Sequence, residues 1–240
     1  IVYEGRAAKV LLDNSKLQEI EDYYQQCAVE GTNEHQIEAS KRVMAQMGSI
    51  LGDPDRIKEL AEDFIKHYEN RVNEGSTIKG KAMFVSSSRL IAYSLYKEII
   101  ALRPEWAEIR ECEEGVVLSD TERREIKPME RIKMVMTRDQ NDEKGLYDLI
   151  GSSDYRKELA RQFKNAKSNF KIAIIVDMWL TGFDVPFLDT MYIDKPVQRH
   201  NLIQTISRVN RKFEQKEKGL VVDYIGIKTQ MNLALAQYSK

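Results

Sequence analysis

Cysteine is scarce in this chain, with only Cys27 and Cys112 in 240 residues. Two thiols cannot build a disulfide framework or a four-cysteine metal site. Histidine is as sparse: His35, His67 and His200 are scattered, none has ligand spacing, and each is expected to be structural or exposed, so no metal site is expected. Long apolar runs are missing too, and nothing approaches the ~18 residues of a membrane span. The opening Ile1-Val2-Tyr3-Glu4-Gly5-Arg6 has no basic stretch leading into an apolar one, so it does not read as a leader peptide. It also has no initiator Met, which suggests a fragment. Excess charge is absent, 37 Lys+Arg against 38 Asp+Glu for a net of −1. That excludes a strongly basic DNA-coating protein but not local phosphate binding, which depends on where the charges sit.

What is present is an ordinary folded composition, 42% apolar and 31% charged, with enough length for a full core. The first third reads as helical. Residues 16–27 are rich in Glu, Gln and Tyr, and residues 34–51 set Ile37, Met44, Met47 and Leu51 at helical spacing. Asp53-Pro54-Asp55 predicts a helix start, a capping Asp followed by Pro at the first helical position. Ile57, Leu60, Ala61, Phe64, Ile65 and Tyr68 then line up as one buried stripe. From Lys81 the period changes. Short apolar runs predict strands at 82–86, 132–136, 172–176, 190–194 and 219–223, alternating with helices up to Leu102, over 153–166 and over 201–211. Residues 231–238 open a further helix. The run 172–176 is continuously apolar, as a strand covered on both faces should be. This alternation predicts an α/β domain with a mostly parallel sheet, and in such sheets ligands sit at the carboxyl ends of the strands.

Three segments fall there. In Phe84-Val85-Ser86-Ser87-Ser88-Arg89, hydroxyls and backbone N–H groups at a strand end can hold a phosphate; locally, a Ser cap for the next helix explains them better. In Val176-Asp177-Met178-Trp179-Leu180-Thr181-Gly182-Phe183-Asp184-Val185-Pro186, Gly182 permits a tight turn, and Asp184 could accept from a ribose or orient an arginine. A turn with a self-capping Asp fits equally well. In Gln204-Thr205-Ile206-Ser207-Arg208-Val209-Asn210-Arg211, a helix would put Gln204, Arg208 and Arg211 on one face. Two guanidiniums and an amide suit a triphosphate; a solvated basic face paired with acids is the plainer account.

Taken in order, these segments resemble motifs IV, V and VI of superfamily 2 helicases, which lie in the second RecA-like domain of those motors. Thr190-Met191-Tyr192-Ile193-Asp194-Lys195-Pro196, His200-Asn201-Leu202-Ile203-Gln204, Ser207-Arg208-Val209-Asn210-Arg211 and Gly219-Leu220-Val221-Val222-Asp223-Tyr224-Ile225-Gly226-Ile227 narrow the resemblance to the R subunit of type I restriction endonucleases. Tyr3-Glu4-Gly5-Arg6 and Lys133-Met134-Val135-Met136-Thr137 fit the same family. The resemblance implies a RecA-like fold and an ATP-driven DNA translocase in which cleavage occurs in a separate nuclease domain. It implies Arg211 as an arginine finger, Arg208 as a second γ-phosphate contact and Gln204 as a hydrolysis-sensing or water-positioning group. Gly182 and Asp184 would face ATP, and Ser86, Ser87, Ser88 and Thr181 the backbone of double-stranded DNA. The implied partners are the first RecA-like domain and nuclease domain of the same chain, with methyltransferase and specificity subunits, in the cytoplasm and without a membrane.

A phosphate-binding P-loop is not found: Gly80-Lys81 precedes its strand and is followed by Ala82. No Asp-Glu-x-His-type Mg²⁺ motif occurs, so ATP and Mg²⁺ belong to the full-length enzyme, with the metal's ligands outside these residues. The expected organisation is a helical linker over 1–76, a RecA-like domain over 77–227 and the start of a helical region over 228–240. Residues 110–131 match no motif and are expected to be an insertion. Competing readings are another superfamily 2 ATPase, of a type III restriction or repair system, and a non-catalytic RecA-like scaffold.

Overall fold

Among the described residues, six short strands form one parallel sheet. The computed structural model describes residues 1–28, 42, 45–197, 199–216 and 218–238. Its strands are β1 (Val2–Gly5), β2 (Ala82–Ser86), β3 (Ile132–Val135), β4 (Ile172–Ile175), β5 (Thr190–Asp194) and β6 (Leu220–Asp223). They lie in the order β1-β6-β5-β2-β4-β3, and every pairing is parallel. This is the α/β sheet expected of a RecA-like domain. β4 sits between β2 and β3 and is buried throughout, which its unbroken apolar run requires.

Helices among the described residues include α1 (Asn14–Ala28), α2 (Pro54–Asn73), α3 (Arg89–Leu102), α4 (Asp120–Glu125), α5 (Lys144–Ile150), α6 (Ser153–Phe163), α7 (Arg199–Ser207) and α8 (Lys228–Tyr238). α2 begins as its sequence demands: the Asp53 side chain accepts from the Arg56 N–H at 3.0 Å, and Pro54 takes the first position. Its predicted stripe is buried along its whole length. Phe64 of that stripe meets Tyr192 and Phe84 edge-on, at 4.7 and 5.2 Å between centroids. Side chains alternate along β2, so Lys81 belongs to the opposite face from Phe84. There α6 supplies Phe163, against Phe170 and Trp179. Among the described residues no helix is long and apolar enough to cross a membrane.

Two features depart from the sequence reading. Residues 1–76, expected as a helical linker, place β1 beside β6 in the sheet and α2 against α3. The expected division at 76/77 therefore has no counterpart in the sheet. β1 has only four residues, with ends that are exposed, and its partner lies more than 200 positions away, so nothing local marks it as a strand. The helix predicted over 201–211 stops at Ser207. Beyond it the chain tightens: Arg208, Val209 and Asn210 donate to the carbonyls of Thr205, Ile206 and Ser207, three residues back, at 3.3, 3.3 and 3.2 Å. Ile37, Met44 and His35 lie outside the described residues; Met47 and Leu51 are buried.

A candidate functional site at the carboxyl edge of the sheet

The loop after β4 is shaped by backbone and aromatic constraints together. Trp179 and Gly182 both adopt positive φ, 70° and 71°. That conformation is natural for glycine and unfavourable for tryptophan. Stacking offsets the cost: the Trp179 ring lies on Phe183 at 4.1 Å with an 8° interplanar angle, and both pack on Phe163. Trp179 did not stand out in the sequence, because a positive φ on a bulky residue leaves no local signal.

The turn after α7 is tied to this loop residue by residue. Arg208 donates from Nε to the Leu180 carbonyl at 3.3 Å and from Nη1 to the Phe183 carbonyl at 3.0 Å. Arg211 Nη1 meets Asp184 Oδ2 at 2.7 Å, with the two side chains 49% and 41% exposed. Lys216 Nζ donates to the carbonyls of Pro186 and Leu188 at 3.1 and 2.7 Å. Phe213 packs edge-on to Phe187 at 5.7 Å. Three cations therefore run in order along residues 180–188, a role for Lys216 that its charge alone did not announce. Burial holds the Lys216 ammonium below the ordinary lysine range.

The structure thus brings Gly182, Asp184, Arg208 and Arg211 together on one loop–turn unit. Arg211 and Asp184 stand at the surface rather than in the core. Gln204 is exposed on α7, and Thr181 is exposed beside Gly182. The Ser-rich turn follows the end of β2. Ser88 caps α3, accepting from the Ile91 N–H at 3.2 Å, as the local pattern favoured. Ser86 and Ser87 carry buried hydroxyl oxygens with no hydrogen-bond partner.

Behind this edge lies a polar network that the motifs did not reveal. Arg56 of α2, fully buried, forks onto both oxygens of Asp194 at the end of β5 and also donates to the Leu51 carbonyl at 3.2 Å. Removing one partner of such a buried pair costs about 3–5 kcal/mol. Tyr3 donates to Asp223, which also accepts from the N–H groups of Ile225, Gly226 and Ile227. Arg6 forks onto Asp63 at 2.6 Å for each bond.

The open space beside Gly182 and the exposed Arg211 guanidinium fit one side of a nucleotide phosphate site, with Asp184 as the counter-ion that orients Arg211. The residues do not fit a metal in the same way: among those described, no group of three or more His, Cys, Asp or Glu is placed to hold one.

A family model described as type I restriction enzyme subunit R, domain 3, matches residues 78–226. A type I restriction enzyme HindI endonuclease subunit from Haemophilus influenzae is 42% identical over 79% of this chain and 16% of its own length. A putative type I restriction enzyme MjaIXP endonuclease subunit from Methanocaldococcus jannaschii is 34% identical over the whole chain and 20% of its own length. The chain therefore spans about a fifth or less of these relatives. The solved structure of T4 UvsW is similar at a TM-score of 0.43 and 15% identity, over 92% of this chain and 31% of that one, too loose a likeness to bear weight.

Proposed function

The chain belongs to the type I restriction enzyme R-subunit family, and we propose that it is the second RecA-like half of an ATP-driven translocase on double-stranded DNA. The observation that carries this reading is the joined loop–turn unit, in which Arg211 and Asp184 stand exposed beside Gly182 at the carboxyl edge of a parallel sheet. Arg211 acts as the finger. It exchanges Asp184 for the charge that develops on a transferring phosphoryl group, which an arginine fork matches well. Arg208 fixes the carbonyls of Leu180 and Phe183 through Nε and Nη1, and serves as a second γ-phosphate contact. Gln204 orients the attacking water. Gly182 and Asp184 face ATP, while Ser86, Ser87, Ser88 and Thr181 face the DNA backbone.

ATP supplies the phosphoryl group, and Mg²⁺ is held by residues of the other half. The partners are the first RecA-like domain and a nuclease domain of the same chain, with methyltransferase and specificity subunits, all in the cytoplasm. Cleavage follows translocation and occurs in the nuclease domain.

The test is Arg211→Ala in the full-length enzyme. ATP turnover should fall by ~10³-fold or more, the scale on which arginine fingers act. ATP affinity should stay within a few-fold, because the finger acts on transition-state charge. Arg211→Ala with wild-type turnover would overturn the finger assignment and favour a scaffold.

A further inference from the structure

Lys195 lies in the Thr190–Pro196 segment of the family resemblance but has no role in the translocase reading, and it occupies the centre of the carboxyl edge. β2 lies between β5 and β4, with Ser86 opposite Asp194 and Val85 opposite Ile175. Continuing that register puts Lys195, Ser87 and Asp177 on one level at the ends of three adjacent strands. The side chains confirm it: Lys195 Nζ donates to the Val176 carbonyl at 2.9 Å and pairs with Asp177. To do so it must cross the carboxyl end of β2, where the Ser86 and Ser87 hydroxyls lie without partners.

The two halves of this ion pair are held very differently. The Lys195 side chain is 18% exposed and the Asp177 side chain 85%. The cation is fixed by its buried stem, by the Val176 carbonyl, and by the residue before it, Asp194, which Arg56 locks from behind. The anion stands in solvent, and such exposed pairing is worth at most about 1 kcal/mol. Arg89, on the same edge, has the reverse arrangement. Its acid, Asp142, is only 6% exposed and is tied to the Asp139 N–H at 2.7 Å, so that pair is structural. Lys195 alone of the two combines a fixed cation with a replaceable counter-ion.

We infer that Lys195 is a phosphate seat for the backbone of duplex DNA, with Asp177 as the counter-ion that the phosphodiester displaces. The inference rests on the translocase reading and adds where the chain grips its track. It also accounts for how a chain of net charge −1 meets a polyanion: the cation is masked by a weak internal anion until phosphate arrives. The phosphate is a phosphodiester rather than a nucleotide's, because the translocase reading already gives the latter a separate place at Arg211.

The experiment uses the chain at its full natural length and a fluorescent duplex of arbitrary sequence, with affinity measured across NaCl concentrations. Lys195→Met should weaken binding and flatten the slope of log K against log salt by about one, the signature of one lost phosphate contact. Asp177→Asn, at a solvent-exposed position, should tighten binding about two- to fivefold, the equivalent of an exposed ion pair, with the slope unchanged. Combined with Lys195→Met, it should lose that gain. An unchanged slope in Lys195→Met, or an Asp177→Asn gain that survives in the double variant, overturns the seat. A raised KM for ATP in Lys195→Met with the DNA slope intact assigns the phosphate to the nucleotide and overturns the DNA seat. A wild-type chain that binds no duplex even at low salt overturns the translocase reading and the seat with it.

Discussion

The arginines of this fold are sorted by what answers their charge. Arg56 is answered by a buried carboxylate and belongs to the architecture; Arg208 is answered by carbonyls and shapes a loop; Arg211 is answered by an exposed acid and stays exchangeable. His67 obeys the same logic in the pH domain. Its ring nitrogens meet the Tyr192 hydroxyl at 2.8 Å and a Glu4 oxygen at 3.1 Å. Burial lowers its pKa below 6.5, with Glu4 opposing and the Arg6 and Arg71 guanidiniums assisting. The fold therefore prefers the neutral ring, and the unfolded chain takes up the proton first. Stability from His67 is fully present above pH 6.5 and is lost as pH falls from there through the lower folded value. Glu4 and Asp63 have lowered pKa values, so their contributions fade only below the ordinary carboxylate range, in a separate window. Denaturant midpoints should fall as pH drops below 6.5, and His67→Gln should flatten that fall. Equal pH dependence in both proteins would show that His67 is not the titrating group.

Elements were legible in the sequence where their signals were local. The α2 stripe, its Asp-Pro cap and the continuous apolar run of β4 each carry their own physics, and each appears where expected. β1 was not legible, because its strand character comes from pairing with β6. The end of α7 was not legible for a related reason. Gly219, just before β6, lies so close to the turn that a Cβ there would sit 2.0 Å from the Val209 carbonyl oxygen. The chain can leave α7 and tighten around Val209 only because Gly219 has no side chain. Sequence marked Gly219 as part of a resemblance but could not say what it touches. Gly219→Ala should therefore force the turn away from β6, at a cost of about 1–3 kcal/mol if the fold accommodates it. It should also disturb Arg208 and Arg211 together, lowering ATP turnover although neither arginine is changed. A variant with wild-type thermal stability and turnover would mean that the close approach is relaxed in solution.

At the scale of the whole molecule, the site is one-sided. The loop–turn unit offers a guanidinium, an acid and a glycine turn at the surface, and the seat at Lys195 lies along the same edge. Phosphoryl transfer needs more than this: a cradle for the β- and γ-phosphates, metal ligands and a group to activate water, all placed around one phosphate. The chain matches about a fifth or less of the length of its relatives, which leaves room for a second half to carry those parts. A finger that reaches across an interface adds little to ground-state binding by itself, because its contribution appears only when charge develops in the transition state. The purified 240 residues should therefore bind ATP weakly and turn it over no faster than buffer, with or without duplex DNA. Restoring the remainder of the chain should bring DNA-stimulated turnover that Arg211→Ala abolishes. Turnover by the 240 residues alone, stimulated by duplex and lost in Arg211→Ala, would mean that the parts assigned to a second half lie within this fold, and the half-motor reading would fail.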